Sequence, residues 1–162
     1  MTKMKELTSQ TAFWLNYATF LMTTTNKPND ARALLMRATQ SVEQSQHRML
    51  TTKFGALEFQ SPNGDPERGR TIFEGLLSAW PKRHDLWDMF IDLEKSQGNQ
   101  ANARNLYERM SKINMKKRRA RYFFKQWMEF EEHFGQSKDV ERVKGLAAEY
   151  VRKLEREGEP ED

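Results

Sequence analysis

The chain has no cysteine. That excludes a disulfide framework and thiol chemistry, and it fits a reducing compartment. It has no run of about 18 apolar residues, so no segment is expected to span a membrane. Its N-terminus lacks the charged-then-apolar pattern of a secretory signal. There is no glycine-rich phosphate loop and no nucleophile–base pair. His47, His84 and His133 lie far apart and show no ligand spacing. Catalysis, a metal, a cofactor and a small-molecule ligand are therefore not expected. Hydrophobic residues make up only 37% of the 162 positions, and the mean hydropathy is −0.91. Aromatics reach 11%, which argues against disorder. A low apolar fraction with many aromatics suits a thin solenoid, which leaves much of each helix pair exposed. The net charge of +4 and pI near 9.3 permit a nucleic-acid partner without demanding one.

The stretch from Asp85 to Met110 organises the rest. Leu86, Phe90 and Leu93 fall at helical spacing, with Trp87 and Ile91 beside them. Gly98 is placed to stop that helix, because glycine enters the left-handed conformation without a Cβ clash. Asn99 is placed to cap a second helix, in which Ala103, Leu106, Tyr107 and Met110 share one face. A single helix pair cannot bury both of its apolar stripes and needs copies of itself as neighbours.

The chain supplies those copies. Ala103-Arg104-x-x-Tyr107-Glu108-Arg109 has counterparts at Gly69-Arg70-x-x-Phe73-Glu74 and Ala31-Arg32-x-x-Leu35-x-Arg37. The first-helix pattern, an aromatic followed by an apolar residue and an acid, recurs as Phe54…Leu57-Glu58, Phe90…Leu93-Glu94 and Trp127…Phe130-Glu131. Trp14…Tyr17…Phe20 is a weaker copy without the acid. The period of roughly 34–38 residues belongs to helix-pair solenoids. The expected fold is all-α, TPR-like, with about four pairs and eight helices. One domain is expected over about 1–154, with repeats near 7–40, 42–79, 85–112 and 117–154, and an acidic disordered tail over 155–162.

In chain order, Met1 to Lys5 reads as a frayed lead-in. A first helix from about Leu7 to Thr24 would use Phe13, Leu15, Tyr17, Phe20 and Leu21 as its apolar residues. Asn29 or Asp30 is expected to cap the second helix. A third is expected from about Val42 to Phe59. Asp65-Pro66-Glu67 is a well-formed helix start, with acid at the cap and proline at the first position. A long helix from about Lys117 to Phe134 should end at Gly135, and Ser137 should cap the last one.

The helix signatures resemble half-a-TPR repeats, a class common in RNA-processing assemblies. A closer likeness is carried by Phe54-Gly55-Ala56-Leu57-Glu58-Phe59-Gln60, Gly64-Asp65-Pro66-Glu67-Arg68 and Trp80-Pro81-Lys82-Arg83-His84-Asp85-Leu86-Trp87. It continues through Tyr107-Glu108-Arg109, Phe123-Phe124-Lys125 and Lys138-Asp139-Val140. These resemble the C-terminal repeat domain of the ribosomal RNA processing protein five family, called programmed cell death protein eleven in animals. That resemblance implies a nucleolar, non-enzymatic scaffold of ribosome biogenesis. It would dock assembly factors and pre-ribosomal RNA in a large ribonucleoprotein particle, the small-subunit processome, during early cleavages of the small-subunit precursor. It also implies a C-terminal fragment of a longer protein. Two alternatives stay open: a half-a-TPR scaffold of messenger RNA splicing or 3′-end processing, and a direct RNA-binding clamp. A monomer fits the ribosomal reading and a homodimer the messenger RNA one.

The recurring aromatics Trp14, Phe54, Trp87, Phe90, Trp127 and Phe130 are expected to pack between helices rather than stack on bases, and Phe73 and Tyr107 belong to the structural repeat signature. Glu58 and Glu94 are expected to pair with the arginines of their partner helices, Arg70 and Arg104, because a half-buried charge needs a partner. Glu131 has no obvious counterpart, since Glu141 stands near the arginine position. The sharpest functional candidate is the basic run Lys116, Lys117, Arg118, Arg119 and Arg121, followed by Lys125. Positive charge at a helix start opposes the helix dipole, a cost that an external phosphate would offset. A solvated face and a nuclear import signal are the blander readings. Lys82 and Arg83 form a second, weaker basic loop.

Overall fold

A computed structural model describes residues 2–160, with side chains from residue 10 onward. Among the described residues every regular element is helical: α1 (Thr2–Thr19), α2 (Pro28–Ser41), α3 (Gln44–Gln60), α4 (Pro66–Ala79), α5 (His84–Ser96), α6 (Gln100–Met110), α7 (Lys117–Phe134) and α8 (Ser137–Glu157). The eight helices follow the order expected from the repeats. The chain divides into two compact units, Met1–Asn99 and Gln100–Asp162.

In the first unit α1 packs on α2 and α3, α3 on α4, and α5 on both α3 and α4. Small residues set the close approach of α3 to α4. A Cβ added at Gly69 would lie 2.6 Å from the Phe59 ring, and one at Gly55 would lie 2.9 Å from Ile72. The gap this leaves is filled by aromatic rings. Phe73 stacks on Phe90 at 5.2 Å, and Phe59 meets both edge-on at 6.2 Å. Each fully buried phenylalanine contributes about 1.5–3 kcal/mol relative to an exposed one. At the end of α5, Gly98 takes φ 70°, the left-handed conformation its position calls for. In the second unit α7 packs on α8, and Tyr107 of α6 stacks on Trp127 of α7 at 5.9 Å with the rings nearly parallel. Phe123 and Phe130 flank the same tyrosine.

An arginine–glutamate rivet recurs along the chain. Arg32 of α2 donates two bonds to Glu58 of α3, at 2.7 and 3.0 Å. Arg70 of α4 does the same to Glu94 of α5, at 2.6 and 3.2 Å, and Arg104 of α6 to Glu131 of α7, at 2.8 and 3.0 Å. The register differs from the expected one. Glu58 pairs with Arg32, not Arg70, and Glu94 with Arg70, not Arg104. Glu131, which lacked a counterpart, receives Arg104. Each arginine thus reaches forward to the next helix pair. The carboxylates are buried, and their guanidinium partners are held charged by the hydrogen bonds they donate. Bonding within a pair would have secured one repeat; this register secures one repeat to the next.

Several helix ends differ from expectation. Helix α1 already includes Thr2 to Lys5, while Met1 lies outside the described residues. It ends at Thr19 and passes into a π-helical turn over Phe20–Thr24. Thr19, Thr23 and Thr25 each donate a hydroxyl to the carbonyl four residues back, a competition that loosens the helical ladder. Asn26 then takes φ 51°, a conformation asparagine tolerates. Thr11 and Ala18 of α1 and Leu21 and Met22 of the π-helical turn are buried, whereas Phe13, Tyr17 and Phe20 are 62%, 42% and 49% exposed. Ala18 stands where the later repeats carry glutamate, and its small side chain buries completely. Helix α2 starts at Pro28 with Lys27 at the cap position; the fixed φ of proline sets the first turn, displacing Asn29 and Asp30 from that role. The last helix is capped by Gln136, not Ser137, through a reciprocal pair of bonds with Asp139. Residues 155–157 are helical rather than part of a disordered tail; residues 161–162 lie outside the described residues. Asp65 caps α4 as expected, accepting the Glu67 N–H at 3.0 Å.

Candidate nucleic-acid interface

The start of α7 is fixed from beneath. Met115 is buried, and the Tyr150 hydroxyl of α8 accepts the Met115 N–H at 2.5 Å. The same hydroxyl is within donating distance of the Ile113 and Met115 carbonyls, at 3.1 and 3.2 Å. Burial pushes the Tyr150 phenol above its ordinary range. The chain is thereby set to enter α7 with Lys116 at the cap position and no side-chain cap.

Six cations occupy the first turns. Lys117, Arg121 and Lys125 recur every four residues and so share one face. Arg118 stands one position round from it. Lys116, Lys117, Arg118, Arg121 and Lys125 are exposed, and Arg119 is half-buried. Lys125 lies 3.9 Å from Glu129, and the Arg119 guanidinium sits 5.1 Å from the Tyr122 ring centre. No carboxylate pairs with Lys117, Arg118 or Arg121 among the described residues. Like charges four apart, at the positive end of a helix dipole, raise the energy of the fold locally. An anion laid across the face would relieve that repulsion.

Tyr122 completes the surface. It is 51% exposed, while the aromatic repeat positions Phe54, Phe73, Trp87, Phe90, Tyr107, Trp127 and Phe130 are all buried. Trp14 is half-buried, with Arg37 over its ring at 6.0 Å. An exposed ring flanked by unpaired cations is what single-stranded nucleic acid needs for stacking and charge neutralisation together. Sequence reasoning passed over Tyr122 because its aromatic neighbours Phe123 and Phe124 carry the buried stripe. The signal available was its place between Arg118 and Lys125, on the side of the helix away from that stripe.

Lys82 and Arg83 belong to the other unit, on the loop between α4 and α5. Trp87 holds that loop by donating its indole N–H to the Pro81 carbonyl at 3.0 Å. Lys82 is exposed. Arg83 forks onto Asp85 at 2.7 and 3.0 Å. That fork holds the Asp85 carboxyl below the usual carboxylate range and occupies the guanidinium, so Arg83 is a weaker phosphate ligand than the free cations of α7.

Paired helices, riveted from one repeat to the next by arginine–glutamate pairs, define a helical-repeat protein. A family model described as Suppressor of forked protein matches residues 2–160. The chain belongs to that family. It is 46% identical over 138 residues to rRNA biogenesis protein rrp5 of Schizosaccharomyces pombe, covering 85% of this chain and 8% of that one. It is 35% identical over 148 residues to Protein RRP5 homolog of Mus musculus, covering 91% and 8%. Crooked neck-like protein 1 of Homo sapiens is 30% identical over 103 residues, covering 60% and 12%. The chain thus spans about 8% of the length of the RRP5 relatives it matches.

Proposed function

We propose that this chain is a scaffold segment of a ribosome-biogenesis factor, acting in the nucleolus. It works by binding rather than by catalysis. It holds assembly factors against precursor ribosomal RNA during early cleavages of the small-subunit precursor, within a large ribonucleoprotein particle. The observation that carries this reading is the likeness to RRP5 proteins across most of the chain, joined to three exposed cations on α7, Lys117, Arg118 and Arg121, that no carboxylate pairs among the described residues. Mechanistically, each rivet ties one helix to the next within its unit, Arg104 to Glu131 in the unit that carries the basic run, so surface side chains there are pre-arranged before a partner arrives. The basic run supplies affinity for the RNA backbone through counterion release.

The test is binding of structured precursor ribosomal RNA at two salt concentrations. The chain is compared with a variant carrying alanine at Lys117, Arg118 and Arg121. Salt-sensitive binding that weakens in the variant is expected, with the slope of log affinity against log salt falling by about 2. No binding, or equal binding by both, overturns the RNA contact. The competing reading, a messenger-RNA-processing scaffold, draws on the Suppressor of forked family match and the Crooked neck-like relative. Sedimentation separates the two: a monomer fits the ribosomal reading and a stable homodimer the other.

A further inference from the structure

A recess of about 480 Å³ opens in the second unit between the α6–α7 loop, α7 and α8. Its rim carries four cations, Lys112, Arg152, Lys153 and Arg156, against one carboxylate, Glu149. Its floor is apolar, formed by Phe124, Leu146 and Tyr150. Among the described residues no carboxylate pairs with Lys112, Arg152 or Lys153, and Arg156 reaches only its neighbour Glu157, at 3.4 Å. The three α8 cations and Glu149 follow one another at helical spacing, so α8 presents them along one side. Because Tyr150 ties the loop to α8, the walls stand in place before any ligand arrives.

We infer that this recess is a docking site for an acidic peptide segment of a partner protein, with an apolar side chain seated on the floor and carboxylates on the rim. Two observations favour a peptide over a nucleobase. Phe124 is 4% exposed and Tyr150 leans on it at 58°, so the floor lacks the broad open ring face that base stacking requires. The chain also shows an acidic segment beside the recess. Gly158 takes φ 80°, a conformation open to glycine, and donates its N–H to the Leu154 carbonyl at 2.9 Å. The turn brings Glu159 and Pro160 alongside Asn114, Tyr150 and Lys153 in a smaller adjoining recess of about 220 Å³. Acid and proline against tyrosine and lysine is the recognition chemistry proposed for the partner. This site is separate in residues from the α7 basic run and stands whether or not that run binds RNA.

The experiment is fluorescence anisotropy with two probes: a fluorescein-labelled twelve-residue glutamate-rich peptide with a central phenylalanine, and fluorescein-labelled oligouridine. The proteins are the full chain, the chain ending at Glu157, an Arg152→Glu/Arg156→Glu variant and the Lys117, Arg118, Arg121 alanine variant. Arg152 and Arg156 are exposed, so folding is expected to survive, as circular dichroism would verify. The expected result is saturable peptide binding that weakens about tenfold or more in the Arg152→Glu/Arg156→Glu variant and is unchanged in the α7 variant. Absence of peptide binding to both wild-type lengths overturns the proposal. So does equal loss in both variants, which would mean unspecific charge attraction. Loss of oligouridine but not peptide binding in the Arg152→Glu/Arg156→Glu variant would make the recess an RNA site instead.

Discussion

Replacing Arg70 by methionine tests the rivets directly. Glu94 is completely buried and accepts two bonds from Arg70, whose side chain is 19% exposed. Methionine fills most of the volume but leaves the carboxylate in the interior without its cation. Breaking a buried pair from one side costs about 3–5 kcal/mol, a loss of about 10 °C in Tm for a chain of this size. Changing both residues, Arg70→Met with Glu94→Leu, removes the stranded charge and is expected to return stability to within about 1 kcal/mol of wild type. Arg104→Met attacks the corresponding joint to Glu131, but the Arg104 side chain is 38% exposed. Water reaches it, so a loss nearer about 2 kcal/mol is expected. Thermal and urea unfolding followed by circular dichroism measure all three. An Arg70→Met loss below about 1 kcal/mol, or a double variant as weak as the single one, would refute the argument that burial of Glu94 makes the rivet essential.

Four further outcomes are expected. Tyr122→Ala should weaken binding to single-stranded RNA by about 1–3 kcal/mol while leaving the salt slope of binding intact, as fluorescence titration at several salt concentrations would read. Gly69→Ala should destabilise by about 1–3 kcal/mol because its Cβ would meet the Phe59 ring at 2.6 Å. Gly145→Ala, with nothing within 4 Å, should stabilise by about 0.5–1 kcal/mol, and denaturant titration distinguishes the two signs. The raised phenol of Tyr150 contributes stability that is fully present below about pH 10, the unfolded value, and is lost as pH rises through the higher folded value. Tyr150→Phe should remove that part of the alkaline fall and cost about 1–2 kcal/mol at neutral pH, measured by thermal unfolding from neutral to alkaline pH.

What was legible beforehand followed from periodicity. Phe90, Leu93, Ala103 and Tyr107 recur at helical spacing, and the same spacing recurs along the chain, so helices and their order could be read without coordinates. Asp65-Pro66 and Gly98 are local signals whose physics is complete within a few residues, and both stand where expected. The partners of Glu58 and Glu94 were not legible. A recurring acid and a recurring arginine give two possible registers, within a pair or between pairs, and only packing decides. The turn at Phe20–Thr24 was hidden for a similar reason, since three threonine hydroxyls act together to loosen a helix that apolar spacing would continue. On the α7 face, the cations are plain in the sequence, but the lack of a carboxylate beside Lys117, Arg118 and Arg121 and the exposure of Tyr122 depend on which side of the helix meets α6 and α8. The recess on α8 had no sequence signature, because Lys112 comes from a loop and its floor from residues that read as core.

The most direct measurement exchanges this chain for the matching segment of Schizosaccharomyces pombe rrp5, to which it is 46% identical, and follows small-subunit precursor RNA by hybridisation. If the chain is the docking scaffold proposed, cells carrying the exchange process the precursor as wild type does, and cells lacking the segment accumulate it. Accumulation in the exchanged cells, at normal levels of the exchanged protein, would contradict the account.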